Sequence, residues 1–404
     1  MRLKRSLRDL CDLYNTLRAT KIEEYRKNHK SLTKTDLRAL ALQLRRENQS
    51  LKEIHSQVVQ NVADRVSVSF KNYFEKRTRF PRTKQYKEYR SLTFPQSGFK
   101  LEGRVIKKGK RTEIGGKLYL FAVGKMRIFL HRPIKGTIER LTIKYEAGEW
   151  YATFLVERKD IRKPSLKSIP DRRIRGGDLG LESFITLDDS ESAEYPEFLR
   201  QSEEKIKLLQ RKLATKKKWS KRYRCLALKL AHLHLDVSRQ REDWQNKLIS
   251  ELFKKADVLV LEKLNVENML RNRSLAKSIS DASWGKLALR SIRKAEMLGK
   301  WALFVDPWGT TQFCYNCLRW VPKSLADREH ECPNCGTRLA RDLNSAKIIK
   351  RLGILSYPPT DGGSSPAEPR PLPSLRGMVS RGAEAGSHWF LTDGGRHNVG
   401  YDDT

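Results

Sequence analysis

The chain has 404 residues and a formal net charge of +35 at pH 7, because 82 lysines and arginines stand against 47 aspartates and glutamates. Self-repulsion of this size destabilises a compact protein, and a polyanion such as nucleic acid relieves it by binding the cationic side chains. The sequence has neither the about 18 consecutive apolar residues of a membrane-spanning helix nor the apolar core of a signal peptide. We therefore expect a cytoplasmic (prokaryotic cytosol or nucleoid) protein with a polyanionic partner, and we exclude a membrane protein.

Residues 1–90 are predicted to form a helical domain. Leucines recur at helical spacing in two segments, and a third helix is predicted from Ser50 to about Phe74. The apolar face of this third helix carries Ile54, Val58, Val62, Val66 and Phe70. Its polar positions include Gln57, Gln60, Asn61 and Lys71. Pro81 ends the helical region because proline cannot continue a helix.

The pattern changes to short alternating runs from Ser91 to about Glu157. Apolar and polar residues alternate in the segments 118–121, 127–130, 140–145 and 150–156, with glycines between them. Alternation of this kind with glycine turns is typical of half-buried antiparallel strands. Residues 91–170 are therefore predicted to be a small antiparallel sheet or barrel domain.

An α/β domain is predicted from residue 171 to residue 310. It opens with a strand that reaches Asp178 and continues with a basic helical insert at residues 200–252. That insert contains Lys216, Lys217, Lys218 and Arg222. The apolar run 258–261 indicates a buried parallel strand, and it is followed by Glu262.

Four of the six cysteines lie together near the C-terminus, as two pairs with a spacing of two residues. They are Cys314, Cys317, Cys332 and Cys335. Such a quartet can close one tetrahedral zinc site without any histidine. A chance occurrence of four free thiols explains this spacing far less well. Residues 311–338 are therefore predicted to hold one structural Zn²⁺ per chain.

The chain beyond the cysteines divides into a helix and a tail. Residues 339–356 are predicted to contain a last helix from about Leu343, and Asp342 directly precedes it. Residues 357–404 are rich in Pro, Gly and Ser and show little periodicity. We expect this tail to be disordered.

Three carboxylates are predicted at related places in the α/β domain. Asp178 ends the first strand, Glu262 follows the buried strand, and Asp342 opens the last helix. Functional groups collect at the carboxyl ends of strands and at the adjoining helix starts in such sheets. Three converging carboxylates could hold two Mg²⁺ ions for hydrolysis of a phosphodiester, since Mg²⁺ favours oxygen ligands.

Each of these features also has a purely structural interpretation. Asp342 could be a helix N-cap, and Glu262 could be a surface residue that ends a strand. Asp178 is harder to explain in this way, because the glycines around it permit a tight turn and a close approach of the backbone. The lysine-rich stretch 205–224 could be a solvated helix face, although phosphate contact is favoured at this net charge.

The motifs around these carboxylates resemble a known family. Gly176-Gly177-Asp178-Leu179-Gly180, Val260-Leu261-Glu262-Lys263-Leu264 and Arg341-Asp342-x-Asn344-x-Ala346 are similar to the three parts of a split RuvC-like nuclease. A Cys₄ ribbon inserted between the second and third parts is the arrangement of TnpB, a transposon-encoded RNA-guided DNA endonuclease related to type V CRISPR effectors. Stretches such as Phe80-Pro-Arg, Ser283-Trp284-Gly285 and Val305-Asp306-Pro307 extend the resemblance over residues 5–355.

The resemblance implies a multidomain α/β fold and a specific reaction. It implies a helical recognition lobe, a β-barrel wedge domain and a RuvC-like (RNase H-like) core with an inserted zinc ribbon. A guide RNA from the transposon end would pair with double-stranded target DNA beside a short motif, and one Mg²⁺-dependent site (Mn²⁺ being a possible substitute) would cut both strands. Asp178, Glu262 and Asp342 would be the metal-binding catalytic residues, in a monomer that carries one RNA.

Contacts to nucleic acid are expected at two groups of residues. Gln57, Gln60 and Asn61 could read the adjacent motif, because side-chain amides pair with adenine edges; a solvated helix face is an equal alternative. Lys71 on the same helix and the basic group of the insert are the other expected contacts. The basic group comprises Lys216, Lys217, Lys218 and Arg222.

The sequence departs from the family pattern at three points. It opens directly in the first helix, whereas relatives usually begin with a short strand. Either this chain lacks the strand, or an upstream start codon was missed. Gly177 stands where an aliphatic residue is usual, and Ala340 replaces an acidic residue. A guide-dependent repressor and a degenerate transposon copy remain alternatives, although all three carboxylates are present.

Overall fold

The computed structural model describes residues 2–108, 111–130, 133–134, 136–157, 161–324 and 326–355. The chain divides into two compact units between residues 160 and 161, and each is described by itself. The tail predicted to be disordered, residues 357–404, lies outside the described residues. No helix in the described ranges combines the length and the apolar character needed to cross a membrane.

Four helices begin the first unit. They are α1 (Arg2–Asn28), α2 (Lys34–Glu47), α3 (Gln49–Lys52) and α4 (Ser56–Phe74). The predicted start of the third long helix at Ser50 is wrong. Asn48 caps the short helix α3. The ring of His55 then accepts a hydrogen bond from the Gln57 amide, so the long helix α4 begins only at Ser56, six residues after the predicted start. Local capping therefore divides a segment whose apolar spacing alone looks continuous.

Six strands follow the helices in the first unit. They are β1 (Ser91–Phe94), β2 (Phe99–Lys108), β3 (Arg111–Leu120), β4 (Gly124–Leu130), β5 (Thr137–Glu146) and β6 (Glu149–Glu157). They pair as two three-stranded sheets, β1-β5-β6 and β2-β3-β4, and every pairing is antiparallel. The antiparallel prediction is confirmed, and closure into a barrel stays a prediction. Leu118, Leu120 and Leu141 join the helical apolar faces in one core.

A five-stranded sheet organises the second unit. Its strands are β7 (Ile174–Asp178), β8 (Ile185–Leu187), β9 (Ser192–Ala193), β10 (Val258–Glu262) and β11 (Trp301–Val305). The order is β11-β10-β7-β8-β9, with β10 parallel to both of its neighbours and β8 antiparallel to β7. Residues 258–261 are at most 1% exposed, which confirms the predicted buried parallel strand.

Six α-helices and a small hairpin complete the part of the second unit that the structure describes. The helices are α5 (Phe198–Ala214), α6 (Lys221–Lys255), α7 (Val266–Met269), α8 (Ala276–Ala282), α9 (Trp284–Leu298) and α10 (Arg341–Leu355). The hairpin pairs β12 (Glu329–Glu331) with β13 (Arg338–Ala340) and lies within the cysteine segment.

The last helix, α10, crosses the sheet at two glycines. A Cβ added to Gly176 of β7 would lie 2.2 Å from the carbonyl oxygen of Ala346, and one added to Gly353 would lie 2.4 Å from Cγ1 of Val260. No side chain fits at either position, so glycine permits the helix to approach β7 and β10 closely. This approach brings the start of α10 to the sheet.

Gly177 does not leave a gap in the strand that carries Asp178. A Cβ at this position would meet Cδ1 of Ile185 at 2.7 Å and Cδ2 of Leu261 at 3.0 Å. Both neighbours are about 1% exposed and occupy the space that an aliphatic side chain would need. Glycine at position 177 therefore does not weaken the packing of the strand that carries Asp178.

Candidate active site and cysteine centre

Three secondary-structure elements bring the predicted carboxylates to one edge of the sheet. Asp178 is the last residue of β7 and Glu262 the last residue of β10. The parallel register pairs Leu261 with Gly177, so the two acidic residues occupy the next position on neighbouring strands. Helix α10 begins at Arg341, which places Asp342 inside the first turn rather than before it.

The electrostatics of Asp178 indicate that all three carboxylates are close together. Burial raises its pKa well above the ordinary value, and repulsion from Glu262 and from Asp342 raises it further, while Arg341 acts in the opposite direction. Like charges shift a pKa in this way only at short range. A cation held between the three groups would relieve this repulsion.

Glu262 is buried, which overturns its interpretation as a surface residue. Its exposed fraction is 7%, and burial raises the pKa of its carboxyl to about 7. The hydroxyl of Thr310 lies 2.6 Å from Oε1 and opposes this shift, whereas the negative charge of Asp306 adds to it. Since a neutral carboxyl is a poor cation ligand, the environment of Glu262 makes cation binding dependent on pH.

Thr310 and Asp306 are functional candidates that the sequence analysis did not select. Thr310 is 1% exposed and contacts Glu262 across 48 positions of the chain. Asp306 directly follows β11, whose Val305 pairs with Glu262. A signal for Asp306 existed in the sequence, because it directly follows the predicted strand 301–305.

The ligand atoms of the three carboxylates do not lie as close to one another as those of the four cysteines. Within the ranges that the structure describes, the cysteine quartet is the one group of three or more His, Cys, Asp or Glu whose ligand atoms all lie within 4.8 Å of one another. Oδ1 of Asp342 instead accepts from Arg341 at 3.0 Å. The donor set is nonetheless three hard oxygen groups, which fits a divalent cation such as Mg²⁺ or Mn²⁺.

Replacing Glu262 by glutamine should stabilise the protein at high pH when no divalent cation is added. Between pH 4.5 and pH 7 the unfolded chain loses a proton that folded Glu262 keeps, so the free energy of unfolding falls as pH rises and then levels off above about pH 7. We expect Glu262→Gln to raise this free energy by about 3 kcal/mol at pH 8 and by under about 1 kcal/mol at pH 5.

Urea unfolding at the two pH values measures this difference. Glu267→Gln is a matched control, because Glu267 is an exposed glutamate on α7. An equal gain at both pH values, or the same gain in the control, would contradict the assignment of a raised pKa to Glu262.

The four cysteine thiols lie within 4.8 Å of one another, which is close enough for them to hold one metal ion. Sγ of Cys314 lies 3.7 Å from Sγ of Cys335, and Sγ of Cys317 lies 3.5 Å from Sγ of Cys332. Ligands at the Zn–S distance of about 2.3 Å stand about 3.8 Å apart at the corners of a tetrahedron. Hydrogen bonds from Thr337 lower the pKa of Cys335 to about 6, whereas burial raises the pKa of Cys317 to about 12.

Asn344 ties this cysteine centre to the helix that carries Asp342. Its side chain donates to the carbonyl of Phe313 at 2.7 Å and accepts from the amide of Tyr315 at 3.0 Å, on either side of Cys314. Asn344 is fully buried, so the loss of either bond would leave a polar group without water. The cysteine centre therefore fixes the start of α10.

The predicted motif-reading residues lie on one helix, α4, and two of them make hydrogen bonds within the first unit. Oε1 of Gln57 accepts from the amide and the hydroxyl of Ser97, and Oδ1 of Asn61 accepts from Arg65. Gln60 is half-buried, and Lys71 lies 3.7 Å from Glu75. Contact of Gln57, Gln60, Asn61 and Lys71 with nucleic acid stays a prediction.

The predicted basic contacts of the insert are at the turn between α5 and α6. Lys216, Lys217 and Lys218 precede the first residue of α6, and Arg222 is its second residue. All four side chains are exposed. Their position is compatible with phosphate contact, which also stays a prediction.

Comparisons with known proteins give two family matches and several named relatives. Residues 165–273 match a family described as "Probable transposase", and residues 284–349 match one described as "Cas12f1-like, TNB domain". A "Putative RNA-guided DNA endonuclease" of Streptomyces pristinaespiralis is 28% identical over 318 residues, which cover 77% of this chain and 75% of that protein. The Escherichia coli (strain K12) protein named "Putative RNA-guided DNA endonuclease InsQ" is 26% identical over 323 residues, 76% of this chain and 77% of that protein.

A solved structure shares the fold. The protein of a Cas12f1-sgRNA-target DNA complex superposes with a TM-score of 0.56 at 12% identity, over 86% of this chain and 82% of its own. The two family matches together span the three carboxylates and the four cysteines. With the motifs in the same order, the two family matches and the named relatives make this chain similar to the TnpB family of RNA-guided endonucleases.

Proposed function

We propose that this protein is an RNA-guided DNA endonuclease of an insertion sequence, which cuts target DNA beside a short motif through a RuvC-like, Mg²⁺-dependent site. The proposal is supported by the adjacent positions of Asp178 and Glu262 at the ends of parallel β7 and β10, and by the raised pKa of Asp178, on which the charges of Glu262 and Asp342 both act. The names of the relatives and the net charge of +35 support RNA and DNA as partners.

The chain's own residues would act as follows. A divalent cation held at this site would activate water as the nucleophile and offset the negative charge that develops on the phosphodiester. Asp178, Glu262 and Asp342 would hold the metal, and ionisation of Asp178 is favoured once its two neighbours are neutralised. Thr310 would orient Glu262 by its hydrogen bond, and Arg341 pairs with Asp342.

The four cysteines would hold one structural Zn²⁺ per chain and form a ribbon with β12 and β13. Through Asn344 this ribbon would keep Asp342 at the sheet edge. Zinc is proposed as a structural ion because four thiolates leave no open position for a substrate.

Recognition is assigned to the first unit and the neighbouring residues. We assign residues 1–90 to a helical recognition lobe and residues 91–170 to a wedge domain. Residues 171–310 and 339–356 would be the nuclease parts, with the ribbon at 311–338 between them. Base pairing with the guide RNA supplies most of the sequence specificity, and the protein reads only the short motif and the shape of the heteroduplex.

Co-expression with RNA from the same transposon end tests the proposed function. The purified complex is incubated with a plasmid that carries a matched target beside a randomised motif library, with and without Mg²⁺. We expect double-strand cleavage that needs Mg²⁺ and that enriches one motif. Guide-dependent DNA binding without cleavage would contradict endonuclease activity and support a repressor. The absence of both binding and cleavage would support a degenerate transposon copy.

Thr310 should act as a positioning residue for Glu262. Thr310→Val keeps the shape of the side chain but removes the hydroxyl 2.6 Å from Oε1, and this hydroxyl opposes the raised pKa of Glu262. We expect cleavage to fall about tenfold at pH 7 and the pH–rate profile to move to higher pH. Thr310→Ser retains the hydroxyl and should keep the parent profile.

A merely structural role of Thr310 predicts a different result. In that case both variants would change the thermal stability, and neither would move the pH profile. Cleavage rates from pH 6 to pH 9, measured beside the melting temperature of each variant, separate the two roles.

A further inference from the structure

The helical insert forms an arm that lacks a core of its own. We define the basic arm as residues 208–235, which comprise the end of α5, the connecting turn and the first part of α6. None of these residues is buried, whereas Ile206 before the arm and Val237 after it are. Since helices in globular proteins gain most of their stability from packing an apolar face, an arm of this kind needs a partner to be well ordered.

The basic arm has an uncompensated positive charge. It contains nine lysines and arginines and no aspartate or glutamate. Of the ion pairs formed within the parts of the chain that the structure describes, none involves these nine residues. An anion is therefore the partner that charge complementarity selects.

A large aromatic side chain lies at the tip of this arm. Trp219 is 63% exposed and stands between Lys218 and the first residues of α6, at a positive φ of 71°. The ring of Tyr223 lies 6.3 Å from its ring, at an interplanar angle of 53°. Tryptophan is usually well buried, so this exposed ring is the distinctive feature of the tip.

We propose that the tip of the basic arm is a stacking platform for unpaired nucleotides, with Trp219 against a base and the neighbouring cations on the flanking phosphates. The cations are Lys216, Lys217, Lys218, Lys221, Arg222 and Arg224. Aromatic side chains combined with a positive surface are the general means of binding single strands. A duplex offers the same phosphates but hides its base faces, so Trp219 selects for the unpaired strand.

The source of that strand depends on the proposed function. An unpaired segment of the guide RNA and the displaced strand of the target DNA offer the same chemistry to the arm. They differ in the 2′-hydroxyl, so RNA and DNA oligonucleotides of one sequence distinguish them.

Fluorescence anisotropy with labelled oligonucleotides of about 15 nucleotides tests the proposed stacking platform on the full chain. No Mg²⁺ is added, because the assay measures binding and requires neither cleavage nor a guide RNA. Each sequence is used as single-stranded RNA, as single-stranded DNA and as the duplexes. We expect Trp219→Ala to weaken binding of one single strand about tenfold and duplex binding by less than about twofold. Trp219→Phe should restore most of the loss, and Lys216, Lys217 and Lys218 changed together to Gln should lower the salt slope by about 2.

Leu208→Ala is the matched control, because Leu208 is an apolar residue of the same arm with an exposed fraction of 49%. If Trp219→Ala loses more affinity for single-stranded RNA than for single-stranded DNA, the platform binds the guide RNA. A larger loss for single-stranded DNA assigns the platform to the displaced strand of the target. Equal affinity of parent and Trp219→Ala, an equal loss on the duplexes, or the same loss in Leu208→Ala would overturn the proposal. Each of these results stands whether or not the complex cuts DNA.

Discussion

Asp178→Ala should reduce DNA cleavage by at least about a thousandfold while RNA binding stays within about twofold of the parent, because a metal ligand is lost but no basic surface changes. Glu262→Ala should behave in the same way. Burial and the charges of both acidic neighbours raise the pKa of Asp178. The measurement is single-turnover cleavage of a matched plasmid by the purified RNA complex, beside a filter-binding assay with the same RNA.

Asp171→Ala is the matched control for this result. Asp171 belongs to the same unit and pairs with Lys350, but its side chain is 74% exposed and precedes the start of β7. We expect the control to keep nearly full activity. Cleavage by Asp178→Ala at the parent rate would show that the metal site lies elsewhere.

Cys332→Ser should remove the metal of the ribbon and also abolish cleavage. Cys332 is 1% exposed and lies 3.5 Å from Cys317, so a serine there breaks a closed ligand set that no nearby residue can complete. Metal analysis of the parent should give about one zinc per chain, and the variant should retain less than about a tenth of it. Its melting temperature should fall, because binding of structural zinc contributes directly to folding.

Cys225→Ser controls for the loss of a thiol as such. Cys225 is an exposed residue of α6 and does not belong to the quartet. This control should keep its zinc, its stability and its cleavage activity. A parent protein that is folded and free of metal would contradict the zinc assignment.

The second unit was predictable from sequence where a local pattern was sufficient. The apolar run 258–261 identified β10, and the spacing of the cysteines identified their cluster, because each signal is contained within a few residues. The contact of Thr310 with Glu262 was not predictable in this way. It depends on the parallel pairing of β10 with β11, which brings together residues 48 positions apart.

The first unit shows a different limit of the sequence. Alternating runs predicted antiparallel strands, but alternation does not determine which strands pair, and β1 joins β5 and β6 rather than its neighbour β2. The basic arm shows a third limit. The sequence revealed its charge, whereas the exposure of Trp219 depends on a turn at positive φ that no residue pattern announces.

Anomalous scattering from crystals of the RNA–DNA complex grown with Mn²⁺ would show directly whether the three carboxylates bind metal. We expect two manganese peaks about 3.5–4 Å apart, held by Asp178, Glu262 and Asp342 together. Crystals of Glu262→Gln should show no such peaks. Manganese bound away from these three carboxylates, or bound without Asp342, would contradict the proposed metal site.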